Sequence, residues 1–310
     1  MNDVHISGTD LEILSLNQFE KARKMNFIQD DKLNLVNYGE GQIDGSKIHI
    51  SSGRKVDEAV RDLINMSYQY YSDQDRFPEG LSDFRQSLEN ITRQCFEVFF
   101  ETSSDFSEST SILLTPLRAG VPMLLGANQV LSREVLSGCI DMSRQEDSLE
   151  TISGVYQNFP ECEAKQISLI LVDTMLATGG GAETLILEAV SFYRKKGCTI
   201  SRVVFASIFA TLVGIQKTMD AFKTANVAGE LLLTGHLSVG LGCDKNHDDP
   251  LKHNWGYILI NDEKGRFNIG SMRYTCLDAG DISYGEKHAA MSSESFAKKH
   301  LFDELKKREN

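Results

Sequence analysis

One run constrains this chain more than any other. Leu169-Ile170-Leu171-Val172-Asp173 is an apolar stretch that ends on an acid, and Thr174-Met175-Leu176-Ala177-Thr178-Gly179-Gly180-Gly181 is a loop of mostly small residues. Residues 182–196 then carry helical spacing, with Leu185, Ala189 and Phe192 on one face and Lys195, Lys196 and Gly197 at the end. Backbone N–H groups of such a loop, at a helix N-terminus, make a cradle for phosphate. A carboxylate at the strand's C-terminal end lies where a sugar hydroxyl would sit. No Gly-Lys-Ser/Thr follows the glycines, so the run is not a P-loop, and without Gly-x-Gly-x-x-Gly it is not a dinucleotide fingerprint.

The rest of the chain has α/β patterning. Apolar stretches at 111–115, 138–143, 167–173, 202–207 and 230–234 alternate with helical segments at 120–133, 182–196 and 211–223. That alternation predicts a parallel sheet covered on both faces, with ligands outside the strands' carboxyl ends, where Asp173 falls. Leu81, Phe84, Leu88, Ile91, Cys95 and Val98 recur at steps of three and four, predicting a helix with one buried stripe over 81–101. A further helix is predicted over 56–71, with Val56, Val60, Leu63 and Ile64 on one face. Residues 1 to about 50 are polar and weakly periodic, and the glycine-rich stretch 34–45 predicts turns. Past Gly235, segments 255–260 and 265–272 predict a hairpin, and 292–310 predicts a capped helix with Glu294 early and Lys306, Lys307 and Arg308 late.

At 310 residues the chain holds one large domain, or one domain with an extension. Its formal charge of −12, from 32 basic and 44 acidic residues, argues against broad binding to nucleic acid or to an anionic membrane. The longest apolar stretch, 203–215, is interrupted by Ser207, Thr211 and Gly214 and is too short to cross a bilayer. No secretory signal opens the chain, and none of the six cysteines forms Cys-x-x-Cys. The expectation is a cytoplasmic protein with free thiols, no nucleic-acid partner and no membrane partner.

Loop 173–181 resembles the phosphoribosyl-pyrophosphate (PRPP) loop of type I phosphoribosyltransferases. Met175 to Gly180 resembles the uracil phosphoribosyltransferase family in particular, whose loop reads Asp-Pro-Met-Leu-Ala-Thr-Gly-Gly-Ser; here Thr174 stands at the proline and Gly181 at the serine. Pro116-Leu117-Arg118-Ala119-Gly120 is similar to the family's pyrophosphate loop, Pro-Ile-Leu-Arg-Ala-Gly, with the proline displaced by one place. Met142-Ser143-Arg144-Gln145-Glu146 resembles the family's Met-Tyr-Arg-x-Glu, with Ser143 at the tyrosine. Gly256-Tyr257-Ile258 and Leu277-Asp278-Ala279-Gly280-Asp281-Ile282-Ser283-Tyr284-Gly285 look like the family's Gly-Tyr-Ile and Gly-Asp-Ala-Gly-Asp-Arg-x-Phe-Gly.

The resemblance implies an α/β fold of type I phosphoribosyltransferase kind: a parallel sheet flanked by helices, a smaller hood for the base, and helical N- and C-terminal extensions. It implies transfer of 5-phosphoribosyl from PRPP to uracil or a uracil-like base, giving a nucleoside 5′-monophosphate and pyrophosphate. Such a reaction builds positive charge on the ribose and negative charge on the leaving group, so it needs positioning and electrostatics. By the resemblance, Asp173, Thr174, Met175, Leu176, Ala177, Thr178, Gly179, Gly180 and Gly181 hold PRPP. Arg118 and Arg144 meet the pyrophosphate, and Asp278 sits beside the ribose and the Mg²⁺ carried with PRPP. Ile258, Leu277, Asp278 and Ala279 line the base pocket. A homodimer is implied as well. Alternatives are a non-catalytic PRPP- or nucleotide-sensing regulator, and a phosphoribosyltransferase with another heterocyclic acceptor.

The chain departs from the pattern around the base. Eighteen residues, 259–276, separate Ile258 from Leu277 where the family has a handful including Pro-Gly-Leu, and the segment before Gly256 is long. Cys243, Asp244, His247, Asp248, Asp249 and His253 gather there in no recognised zinc spacing, which reads more plainly as a polar loop. The expected organisation is an N-terminal extension over 1–80, a phosphoribosyltransferase domain over 81–290 with an expanded hood at 235–277, and a C-terminal helix over 291–310.

Overall fold

A computed structural model describes residues 28–30, 37–43, 46–52, 59, 62–63, 66, 69–70, 74–102, 110–131, 135–144, 151–176, 179–238, 256–261, 267–274, 279–285 and 290–309. Its centre is a run of parallel strands: β4 (Thr110–Leu117), β5 (Leu136–Arg144), β7 (Gln166–Val172), β9 (Thr199–Thr211) and β10 (Gly229–Ser238). In space they lie in the order β10-β9-β7-β4-β5. They are buried on both faces, which is why β4 and β7 read as near-continuous apolar runs rather than alternating ones.

The helices between them divide between the faces. Helix α2 (Val121–Asn128), after β4, packs on one face together with the long helix α1 (Ser82–Thr102). Helices α3 (Gly180–Lys195), after β7, and α4 (Leu212–Ala225), after β9, pack on the other. The predicted stripe of α1 is the buried one: Phe84, Leu88, Ile91, Cys95 and Val98 all lie in the core, Leu81 at its edge. Burial of each large apolar side chain contributes about 1.5–3 kcal/mol. Gly126 lets α2 lie directly on α1, since a Cβ there would sit 2.3 Å from the Glu89 carbonyl oxygen.

The sheet continues past the parallel strands. The hairpin β2 (Asn37–Ile43) and β3 (Ser46–Ser52) adds to β10, with β3 running parallel to it, and β1 (Ile28–Asp30) pairs outside β2. This corrects the turns expected at 34–45: Gly39 and Gly41 lie inside β2. Pairing to both neighbours overrides the poor local propensity of glycine for strands. Strand β6 (Thr151–Asn158), also unforeseen, closes the other edge antiparallel to β5.

The predicted hairpin past residue 255 is present as β11 (Gly256–Asn261) and β12 (Phe267–Tyr274), and β11 joins β10 at Leu237 and Ser238. Ala59, Asp62, Leu63, Met66, Gln69 and Tyr70 of the predicted helix 56–71 are helical; Val56, Val60 and Ile64 lie outside the described residues. At the C-terminus Ser292 caps a helix from Ser293, accepting the Ser295 N–H, and a π-helical turn (Lys298–Phe302) carries it on to Glu309. Arg308 ties this tail to Glu89 and to the Leu125 carbonyl. Cys95, Cys139, Cys162 and Cys198 are free thiols. Among the described residues no helix is long and apolar enough to cross a membrane.

One buried charged cluster fastens β3 to the core. Glu230 on β10 accepts a hydrogen bond from His49 Nε2 on β3 at 2.7 Å and pairs with Arg202 on β9. His49 meets the Phe99 ring edge-on at 5.0 Å, and the Arg202 guanidinium lies 5.5 Å from the same ring. Burial alone would raise the Glu230 carboxyl, yet the hydrogen bonds and charges of His49 and Arg202 bring it down to about 2.

Candidate functional site

The strand order contains a topological reversal. The chain leaves β4 for β5 on one side, then returns through β7 on the other side of β4, and the helices that follow β4 and β7 pack on opposite faces. Where two such loops diverge at the carboxyl ends of adjacent strands, a crevice opens that is the usual ligand site of open α/β sheets. The loop after β4 carries Arg118, Ala119 and Gly120; the loop after β7 carries residues 173–179. Both sequence-predicted phosphate loops thus flank one crevice.

The loop after β7 is built from backbone bonds. The Asp173 N–H donates to the Ala206 carbonyl at 3.0 Å, and Asp173 Oδ1 accepts the Thr174 N–H at 2.8 Å. Phe209 N–H donates to the Thr174 carbonyl at 3.1 Å, and the two-residue strand β8 (Met175–Leu176) then pairs with β9. Ala177 and Thr178 lie outside the described residues. Gly179 caps α3 without a side-chain hydrogen bond, at φ of 80°. A Cβ there would also approach the Lys217 Cβ to 2.7 Å, so glycine is required twice over. At Gly181 a Cβ would meet Asp173 Oδ2 at 3.7 Å and Met142 Sδ at 4.0 Å, which brings the end of β5 up to the start of α3.

The loop after β4 is tighter. The Leu117–Arg118 peptide is cis. A Cβ on Gly120 would fall 1.9 Å from Thr115 Oγ1 and 2.9 Å from the Val172 carbonyl oxygen, so only glycine fits. Two hydroxyls sew the crevice together. Thr115 donates to the Val172 carbonyl at 2.9 Å, and Thr174 donates to the Ala119 carbonyl at 2.8 Å. Thr115 and Thr174 are both buried, and each serves a carbonyl at the seam between β4 and β7.

The Arg118 guanidinium donates to the Met291 carbonyl at 2.8 Å and lies 5.3 Å from the Phe296 ring centroid, so the C-terminal segment reaches the loop after β4. Arg144 is the last residue of β5, in register with Thr151. Ile258 on β11 is in register with Ser238, so the hairpin rises from the carboxyl end of β10. Leu277 and Asp278 lie outside the described residues. Ala279 opens the short helix α5 (Ala279–Tyr284) fully buried. Arg85 donates to the Ser283 carbonyl, and Leu81 N–H to the Ile282 carbonyl at 2.7 Å, docking α5 on the start of α1.

Sequence reasoning missed Lys217. It lies on α4, its Cβ abuts Gly179, and its Nζ pairs with Glu183 of α3 at 2.9 Å. No motif marks it; only the packing of α4 on α3 brings this cation to the loop. Among the described residues no cluster of His, Cys, Asp and Glu is suited to hold a metal ion, and the Cys243/His247/His253 group lies outside them.

Residues 83–234 match the family model described as uracil phosphoribosyltransferase. A uracil phosphoribosyltransferase of Limosilactobacillus reuteri is 28% identical over 146 residues, covering 46% of this chain and 66% of that relative. One from Wolinella succinogenes is 32% identical over 141 residues, covering 44% and 64% respectively. The chain therefore matches just under two thirds of the length of these relatives. A solved structure of a protein from Aquifex aeolicus aligns at a TM-score of 0.48 and 18% identity, over 77% of this chain and 98% of that one.

Proposed function

We propose, from the match of residues 83–234 to the uracil phosphoribosyltransferase family model, that the chain transfers the 5-phosphoribosyl group of PRPP to uracil or a uracil-like base. A base nitrogen bonds to the anomeric carbon as the bond to pyrophosphate breaks, its N–H proton passing to the released pyrophosphate or to water, and the products are a nucleoside 5′-monophosphate and pyrophosphate. The observation that supports this most is the pair of phosphate-type loops at one strand reversal, joined by the Thr174–Ala119 hydrogen bond.

In this reading the start of α3, with Gly179 to Gly181, receives the 5′-phosphate, where N–H groups and the helix dipole favour an anion. Asp173 accepts the ribose hydroxyls, its carboxylate oriented by the Thr174 N–H. Arg118 and Arg144 meet the pyrophosphate oxygens by charge-assisted hydrogen bonds. To do so Arg118 exchanges the Met291 carbonyl for the ligand. Asp278 lies beside the ribose, and Ile258, Leu277 and Ala279 border the base. The hard oxygen donors of Asp173 and Asp278 suit Mg²⁺, which would neutralise pyrophosphate charge when bound with PRPP. The family match ends at residue 234, before every residue assigned to the base, and it supports a class of acceptor, uracil-like bases, rather than one base.

A second reading, a sensor that binds PRPP or a nucleotide without turnover, is favoured by one observation: the C-terminal segment holds Arg118. Release of pyrophosphate from PRPP and Mg²⁺ with a panel of pyrimidines and five-membered heterocycles separates the readings. Release with a uracil-like base is the expected result. Binding of PRPP without release under any base would turn the assignment to the sensor, and no binding at all would end both.

A further inference from the structure

Thr174 stands where the family's loop has a proline, and it does something a proline ring does not. We propose that Thr174 is a positioning residue that couples the two phosphate-handling loops and so sets the affinity for PRPP without touching it. The inference rests on the reading of the site as PRPP-binding. Three hydrogen bonds hold the residue: its N–H to Asp173 Oδ1, its carbonyl from Phe209 N–H, and its hydroxyl to the Ala119 carbonyl. It is 1% exposed, so its hydroxyl faces the seam between the loops rather than a ligand, in contrast to the direct hold on PRPP that the family resemblance implies for this position.

Topology makes the hydroxyl consequential. Strands β4 and β7 are neighbours, but the helices after them leave toward opposite faces, so the two loops diverge immediately beyond the sheet. The Thr115–Val172 bond ties the two strands near their carboxyl ends, and the Thr174–Ala119 bond ties the loops beyond them. A proline has neither the N–H nor the hydroxyl. In this chain, one residue fixes the Asp173 carboxylate and the Arg118–Gly120 turn relative to each other. Without the hydroxyl, the Ala119 carbonyl is left at a buried seam without that donor, and the turn is free to shift.

The test compares Thr174→Val, which keeps the branched shape, with Thr174→Ser, which keeps the hydroxyl; Thr174→Ala replaces the valine should that variant not fold. Hydrogen exchange is followed at residues 119–124 in the ligand-free full chain, and PRPP binding by calorimetry with Mg²⁺. The valine variant is expected to exchange several-fold faster there and to bind PRPP about tenfold more weakly, with the serine variant close to wild type in both. Unchanged exchange in the valine variant would overturn the coupling. Equal damage in the serine variant would overturn it too, because shape and not the hydroxyl would then be responsible. A wild-type chain that binds no PRPP would defeat the functional reading and the affinity claim with it, while the exchange data still decide the coupling.

Discussion

Replacing Glu230 with glutamine should detach the N-terminal hairpin from the core in a pH-dependent way. The carboxyl drops from its ordinary 4.5 to about 2 in the fold because His49 and Arg202 both bond it. A depressed carboxyl adds stability that is fully present above its unfolded value and is lost as pH falls toward the folded one. Two and a half pH units correspond to on the order of 3 kcal/mol at neutral pH, of which about 1.4 kcal/mol is gone by pH 3.5. Glu230→Gln forfeits that stability and also leaves Arg202 beside a neutral amide at the Phe99 ring. Charged-pair losses of this buried kind cost about 3–5 kcal/mol. Urea unfolding of both proteins at pH 7, 5 and 3.5 measures the gap between them. It should be several kcal/mol at pH 7 and narrow by about 1–1.5 kcal/mol at pH 3.5. A gap below about 0.5 kcal/mol at pH 7, or one that stays constant with pH, would refute the argument that this carboxylate holds β3 to β10.

Other outcomes follow from the same geometry. Gly120→Ala should displace the Thr115 hydroxyl from the Val172 carbonyl, costing about 1–3 kcal/mol and weakening PRPP binding; thermal melts and calorimetry report the two separately. Gly126→Ala, at the crossing of α2 on α1, should lower stability by about 3 kcal/mol with the folded fraction retaining wild-type PRPP affinity. Arg118→Ala and Asp278→Ala should each reduce pyrophosphate release at least about tenfold. Wild-type rates in both would remove the roles assigned to them. Arg118→Ala should also loosen the C-terminal helix, visible as faster proteolysis beyond residue 290, because Met291 loses that hydrogen bond and Phe296 the guanidinium over its ring.

Much of the fold was legible because short-range chemistry dictates it. The stripe of α1, the apolar runs of β4 and β7, and the glycine stop after α3 follow from burial and capping, which act within a turn or a strand. The Asp173 and Arg118 loops were legible as motifs for a related reason: Gly120 and Gly179 sit where a Cβ meets neighbouring atoms, so those positions admit glycine alone. The hairpin β2–β3 was not legible, since a glycine-rich strand is made by its partners and not by its own propensity. Lys217 was equally hidden, a lysine on a helix face whose neighbour is known only after α3 and α4 pack.

By itself, then, the sequence determined which segments are strands and helices in the core, which two loops carry the glycine-rich motifs, and which glycines those loops require, because each depends on local periodicity or on backbone conformation. Only the tertiary structure decided that the chain reverses between β4 and β7 and so sets the two loops side by side. It alone supplied Thr115 and Thr174 as the hydroxyls that tie them, carried the C-terminal segment to Arg118, and joined His49 to Glu230 across 181 positions. Those are contacts between distant stretches of chain, and their energy exists only once strand order has brought the partners within reach of a hydrogen bond.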